Sequence, residues 1–216
     1  MTSTRTNAQG SRAYLFSIVL VAIIGGLLFG YDTAVVSGAE KALENFFSSG
    51  LDDLYTSGWH GFTVSSALLG CVIGGAISGL MASRLGRKRS LIAAAILFFV
   101  SAVGSWYPES GILPYGEPTK TLLVVFNLYR ILGGIGVGLA SAVCPMYIAE
   151  ISPARIRGTL VSCNQFAIIF GMLVVYFVNY LIRNHLGDTD EAIQTAMVQI
   201  GWRRMFLSEA FPASAF

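Results

Sequence analysis

Charged side chains are scarce in this chain of 216 residues, because Asp, Glu, Lys and Arg together make up only 12% of it. Water-soluble domains carry about 25% charged residues, so the composition excludes an ordinary soluble domain. The hydrophobic fraction is correspondingly high at 54%, and the mean hydropathy is +0.65. A net charge of +2 offers no general attraction to nucleic acid, and we expect no nucleic-acid partner.

Cysteine and histidine, which supply many metal and redox sites, are also rare. The chain has three cysteines and two histidines. Cys71, Cys144 and Cys163 lie in apolar runs without C-x-x-C spacing, which argues against a zinc site or a disulfide framework. The histidines fall in predicted loops, and the sequence contains no H-E-x-x-H motif and no paired intramembrane aspartates. We therefore expect no enzymatic activity, no bound metal and no cofactor.

The chain does contain a series of apolar runs near the length of roughly 20 residues that crosses a bilayer. They predict an all-α membrane protein with a cytoplasmic tail over residues 1–13 and one amino-terminal bundle of six transmembrane helices over residues 14–216. The last predicted helix has about half the required length, so we expect it to be truncated and a carboxy-terminal bundle to be absent. The predicted helices cover about residues 14–36, 61–82, 90–106, 121–148, 159–182 and 202–216.

Basic side chains concentrate on one side of these predicted helices. Acidic residues dominate the loops on the opposite side. By the positive-inside rule, the amino terminus lies in the cytoplasm. The basic residues on that side are Arg5, Arg12, Arg84, Arg87, Lys88, Arg89, Arg155 and Arg157.

Two features hint at internal repetition. Tyr31-Asp32 in the first helix and Tyr129-Arg130 in the fourth each place a charge after an aromatic residue inside a long apolar run. Two three-helix units would match a 3+3 inverted repeat with a functional site at its interface.

Glycine, at 24 residues, recurs in small-x-x-x-small patterns that let membrane helices pack closely.

Asp32 and Arg130 are the most informative residues, since a charge deep in a membrane helix costs about 2.5 to 3.5 kcal/mol on insertion scales. The simplest compensation is a pair between the two. A conformational change that separated them would favour the protonated form of Asp32, because burial alone disfavours a carboxylate. The alternative is a static ion pair that only holds the helices together.

Polar groups at membrane depth form a second signal. Asn164 and Gln165 each need a hydrogen-bond partner in a dry medium. They either join helices or line a cavity in which an amide binds the hydroxyls of a ligand. In the second case Phe29, Tyr31 and Phe166 are candidates for the apolar walls of that cavity.

A third signal lies at the basic ends of the helices. Arg84 or Arg87 is placed to pair with Glu150, and Arg157 follows nearby. Such pairs are able to hold one conformation and release it in another. The alternative is that the basic residues only fix the topology.

Taken in order, five segments resemble the sugar porter family of the major facilitator superfamily. The resemblance extends over nearly the whole chain. It implies the amino-terminal half of a major facilitator fold in the plasma membrane, the bacterial inner membrane, with the other half of the transporter as its partner. The matching segments are Gly25–Val35, Gly79–Lys88, Tyr129–Gly138, Pro145–Gly158 and Asn164–Phe166.

The resemblance also implies roles for individual residues. Asp32 would be the proton-coupling acid and Arg130 its partner. Gln165, with Phe29 and Tyr31 nearby, would bind the sugar. The remaining implied members form a cytoplasmic gating network of Arg84, Arg87, Glu150, Arg157 and Glu209.

The implied function is transport of a monosaccharide, a xylose-like pentose or a hexose, coupled to proton symport by alternating access. A facilitative sugar uniporter and a sugar sensor that does not transport are the alternatives. Two positions depart from the family pattern: Ser83 stands where the loop motif usually has an acid. Met172 stands where a xylose-transporting member has a second sugar-binding glutamine, seven residues after the one matched by Gln165. Seven residues are two helical turns, so we expect Met172 to face the same sugar-binding cavity as Gln165, without a strong hydrogen-bonding group.

Overall fold

The computed structural model describes residues 12–51, 54–109, 114–187 and 189–216, and in these ranges the regular structure is entirely helical. The predicted tail therefore lies outside the described residues as far as residue 11. The helices are α1 (Arg12–Leu51), α2 (Ser57–Arg84), α3 (Arg87–Trp106), α4 (Lys120–Ile151), α5 (Arg157–Asn184), α6 (Asp190–Ala196), α7 (Trp202–Ser208) and α8 (Ala210–Ala215).

Helices α1 to α5 are each long and apolar enough to cross a membrane. A helix satisfies its backbone hydrogen bonds internally, which is what a hydrocarbon medium requires. The prediction of an all-α membrane bundle is confirmed. For α2 to α5, the observed ends lie within about four residues of the predicted ones.

The first helix is much longer than predicted, since α1 continues to Leu51 and not to about residue 36. Its polar stretch around Glu40 and Lys41 resembled a loop. No proline interrupts that stretch, and its later residues Phe46 and Phe47 are buried in an aromatic core. Burial of this apolar stripe extends the helix beyond the part that is hydrophobic all round.

The sixth helical segment begins at Asp190, not at Trp202 as predicted. It consists of α6, a π-helical turn over Met197–Gly201, and then α7 and α8. The polar residues of α6 concealed its start. After the π turn, Trp202 and Phe206 pack edge-on against Phe126 of α4.

The packing of the helices repeats in two halves. Helix α1 packs on α5, and α4 packs on α2; α3 packs on α4, and the sixth segment packs on α1. Exchanging helices 1, 2 and 3 with helices 4, 5 and 6 converts the α1–α5 contact into the α4–α2 contact. The same exchange converts the α3–α4 contact into the contact of the sixth segment with α1. This pattern is that of an inverted three-plus-three repeat.

The α1–α5 and α4–α2 contacts bring backbone against backbone. A Cβ atom on Gly30 would overlap the carbonyl of Ile168 in α5, and one on Gly134 would overlap the carbonyl of Ala67 in α2. Membrane helices gain most from van der Waals contact at such close approach. The two tight contacts fix α1 to α5 and α4 to α2.

Candidate functional site

Asp32 of α1 and Arg130 of α4 form a buried ion pair. The Nη1 of Arg130 donates to Oδ1 of Asp32 at 2.5 Å. Only 4% of the Asp32 side chain and 2% of the Arg130 side chain are exposed. The guanidinium also lies 5.0 Å from the centre of the Phe206 ring. The structure thus brings together two charges that are 98 residues apart in the sequence.

A second acid, Glu209, lies beside this pair. It is fully buried, and it interacts electrostatically with both Asp32 and Arg130. The preceding residue, Ser208, is 2.7 Å from the hydroxyl of Tyr31, which puts the start of α8 level with Asp32. This position corrects the expectation that Glu209 belongs to the network at the basic helix ends.

The three residues hold two carboxyl groups and one permanent positive charge. A buried charge without a partner is strongly unfavourable. One proton on either Asp32 or Glu209 leaves a single carboxylate opposite Arg130 and makes the cluster neutral. The arrangement is therefore suited to binding and releasing a proton.

A cavity of about 250 Å³ opens onto this cluster between α1, α2 and α4. Asp32 and Arg130 line it at one end, together with Phe29 and Cys71. Its wall combines apolar side chains with hydroxyl and carboxyl groups, as ligand pockets commonly do. The other end reaches Glu40, two turns further along α1 than Asp32.

The other predicted sugar-binding residues do not line this cavity. Tyr31 lies on a different face of α1 and lines a separate cavity of about 510 Å³ between α1, α5 and the sixth segment. Gln165 is exposed on α5, and Met172 is half-buried against the apolar core. The expectation that they share one pocket with Phe29 is not met inside this bundle, because α5 packs on the opposite side of α1.

Asn164 joins two helices, which is the first of the two alternatives given for it by the sequence. It is buried at the α1–α5 contact, and its Oδ1 lies where a Cβ atom of Gly26 would be. That oxygen has no hydrogen-bond partner within the described part of the chain. The residue therefore belongs to the helix contact and not to the cavity at Asp32.

At the basic helix ends, Arg87 forms the ion pair with Glu150. Its Nε lies 3.1 and 3.0 Å from the two carboxylate oxygens, and its Nη2 lies 2.6 Å from Oε1. Nη1 donates to the carbonyl of Ala82. Arg157 donates to the carbonyl of Ser152 at 3.4 Å. Arg84 is exposed, so the structure selects Arg87 from the two candidate partners of Glu150.

The sequence analysis missed a second fully buried ion pair, between Glu109 after α3 and Arg203 in α7. Two nitrogens of Arg203 donate to the two carboxylate oxygens at 2.7 and 2.5 Å. Burial raises the pKa of Glu109, but the hydrogen bonds and charge of Arg203 outweigh burial and hold this pKa below its ordinary value. The available signal was Arg203 near the start of the predicted sixth helix, where a buried charge requires a partner.

Helices of membrane-spanning length, an inverted repeat and a buried charge cluster beside a cavity define the described residues as a multi-pass membrane bundle. Residues 18–216 match the family described as "Sugar (and other) transporter". The chain belongs to that family.

Individual relatives support the same assignment. The D-xylose-proton symporter of Escherichia coli (strain K12) is 51% identical over 219 residues, which cover 97% of this chain and 43% of the symporter. The arabinose-proton symporter of Bacillus subtilis is 34% identical over 99% of this chain and 40% of its own length. The xylose transporter XylE of E. coli, solved in a partially occluded inward-open conformation, superposes with a TM-score of 0.84 at 50% identity, covering 94% of this chain and 48% of the solved one.

The chain thus spans less than half the length of these relatives. The relatives are transporters and not enzymes, in agreement with the prediction from the sequence.

Proposed function

We propose that this chain forms one half of a proton-coupled monosaccharide symporter, in which Asp32 binds the transported proton. The observation that carries the proposal is the buried contact between Asp32 and Arg130 at the end of a cavity. The similarity to two sugar-proton symporters supports proton coupling. The substrate would be a xylose-like pentose or a hexose.

Protonation of Asp32 changes what holds α1 to α4. With the carboxylate ionised, Arg130 has an opposite charge at contact distance. Protonation removes that charge, so that Arg130 either turns to Glu209 or loses its opposite charge. Without an opposite charge, the buried guanidinium becomes unfavourable by about 3 to 5 kcal/mol. That amount is sufficient to shift an equilibrium between two conformations by more than a hundredfold.

The sugar would bind between this bundle and a second one, with alternating access arising from rocking of the two bundles. Relatives are more than twice as long as this chain, which leaves room for a second bundle. Large apolar side chains are exposed along α2 and α5, and they would face lipid or that second bundle. Gln165 on α5 would contribute to the sugar site from this exposed face, with Met172 one wall of it.

The orientation follows from the basic helix ends around Arg87. They would lie in the cytoplasm of a bacterial cell, with the protein in the inner membrane. Helix α1 would then end on the outer side. The Arg87–Glu150 pair would stabilise the conformation closed to the cytoplasm, with Arg84 and Arg157 as neighbouring members of the gate.

The test is Asp32→Asn in the full-length transporter, reconstituted in vesicles. Uphill sugar accumulation driven by a proton gradient should be lost, whereas exchange of labelled for unlabelled sugar should persist. Asp190→Asn, at the exposed start of α6, is the matched control and should leave both unchanged.

Unchanged accumulation by Asp32→Asn would rule out this residue as the coupling acid. Downhill flux by the wild-type protein without proton movement would identify a uniporter. Sugar binding without flux would identify a sensor.

A further inference from the structure

The far end of the cavity carries a second set of titratable groups. Glu40 of α1 lines the cavity that also contains Asp32. Its Oε1 lies 3.8 Å from Nε2 of His60 in the first turn of α2. The Glu40 side chain is 51% exposed and the His60 side chain 15%. One partner is therefore exposed at the surface of the bundle while the other is mostly buried.

Tyr55 orients the imidazole. Its hydroxyl lies 3.0 Å from Nδ1 of His60, and the two rings meet edge-on. Burial raises the pKa of Tyr55, and Glu44 of α1 acts in the same direction, so the phenol keeps its proton. When the phenol donates to Nδ1, the ring hydrogen of neutral His60 resides on Nε2 and points to Glu40.

The ring can also take up a second proton without losing either contact. In the imidazolium both ring nitrogens are donors, so Nδ1 donates to the phenol oxygen and Nε2 still faces Glu40. The titratable and charged groups around this site are Glu40 and Glu44 on α1 and Tyr55 before α2. At the deep end of the cavity they are Asp32 and Arg130.

One face of α1 connects the two ends. Asp32, Val36 and Glu40 are spaced four residues apart and share that face, and Thr33 and Ser37 also line the cavity. The eight residues from Asp32 to Glu40 correspond to about 12 Å of helix. The hydroxyls donate to carbonyls of their own helix at 2.8 Å, which leaves their oxygen lone pairs free to accept from water.

Water has room to connect these groups. The cavity of about 250 Å³ is more than ten times the ~15 Å³ needed to hold one water molecule. Carboxyl and hydroxyl groups along the wall supply the several polar partners that a buried water requires.

We propose that Glu40 and His60 form a proton-collecting pair, which takes protons from the outer solution and delivers them through cavity water to Asp32. This inference rests on the proposed function and adds a path to it. A proton held by the pair passes to a cavity water, that water releases a different proton towards the Asp32 carboxylate, and the pair is reprotonated from outside. No oxidant, reductant or net charge other than the proton is involved.

A purely structural role would have little effect. An ion pair in which one side chain is half exposed contributes little to stability. A proton relay instead changes a rate and leaves the equilibrium unaltered. The final accumulation ratio, which is the inner over the outer sugar concentration at steady state, is set by the driving force. It therefore does not depend on how fast Asp32 receives its proton.

The test compares His60→Asn and Glu40→Gln with wild type in the full-length transporter. The initial rate of sugar-driven proton uptake into vesicles is measured at outer pH values from about 5.5 to 8, the range in which histidine titrates. We expect each variant to be slower by about threefold or more at the alkaline end, where free protons are scarce, and to approach wild type at the acidic end. The final accumulation ratio and sugar exchange should be unchanged, and exchange also shows that the variants are folded.

His185→Asn is the matched control, because His185 is an exposed histidine at the end of α5 on the same side of the bundle. It should reproduce the wild-type rates. Wild-type rates at every pH in both His60→Asn and Glu40→Gln would overturn the proposal, and so would a loss of final accumulation together with rate. If wild type itself shows no sugar-driven proton uptake, the proposed function fails before this inference is reached.

Discussion

Replacing Arg203 with Met should destabilise the transporter more than the loss of any exposed charge. The guanidinium of Arg203 is 1% exposed and the Glu109 side chain is fully buried. Arg203 also lies 4.5 Å from the Trp202 ring and 4.8 Å from the Tyr115 ring. Methionine has a similar length but no charge, so the carboxylate of Glu109 loses both of its charge-assisted hydrogen bonds.

Removing one partner of a buried ion pair costs about 3 to 5 kcal/mol. Relatives of this chain are more than twice its length, and at about 2 cal/mol/K of unfolding entropy per residue each kcal/mol then lowers Tm by about 1 °C. We therefore expect Tm to fall by about 3 to 5 °C. The double variant Glu109→Leu with Arg203→Met should recover most of this loss, because an apolar pair of similar volume leaves no buried charge without a partner.

The assay is thermal unfolding of the full-length protein in detergent, followed by the fluorescence of tryptophan, since Trp202 and Trp106 adjoin the pair. The pKa of Glu109 is lowered in the folded state. The stability that Glu109 contributes is therefore complete at pH values above about 4.3, the ordinary pKa of glutamate. This stability is lost as the pH falls further, through the lowered pKa of the folded state. A single variant within 1 °C of wild type, or a double variant less stable than Arg203→Met, would refute this reasoning.

Three further outcomes are expected. Gly134→Ala should lower Tm of the full-length protein, because its new Cβ meets the backbone of α2, whereas Gly75→Ala, with open space around it, should not. Glu150→Gln should change stability by less than about 1 kcal/mol, since its ion pair is partly exposed, yet increase the inward-open fraction measured by distance labels at the cytoplasmic ends. Cys71, which lines the cavity, should react with a membrane-impermeant thiol reagent in the outward-open state, and the buried Cys144 should not.

The sequence was sufficient to predict the elements whose signals are local. Hydrophobic runs located the ends of α2 to α5 to within about four residues. The cost of isolated charges in hydrocarbon identified Asp32 and Arg130 and predicted their contact. Small-residue spacing predicted close helix contacts, which the structure places at α1–α5 and α4–α2.

What the sequence did not predict depends on tertiary burial. The amphipathic end of α1 and the polar start of the sixth segment both resemble loops until the aromatic core around Trp202 is assembled. Placing Glu209 required the register of that segment, which the π turn at Met197–Gly201 shifts. The Glu109–Arg203 pair joins the predicted loop after α3 to the start of the predicted sixth helix, so no local pattern identified the partner of Arg203.

The position of the charge cluster within the repeat explains why protonation would act on conformation. Backbone contacts hold α1 to α5 through Gly30 and α4 to α2 through Gly134, and such contacts change little without repacking. The Asp32–Arg130 pair instead joins α1 to α4, and so links one of these tight helix pairs to the other. A proton that weakens this pair therefore acts between the α1–α5 pair and the α4–α2 pair and leaves each of them intact.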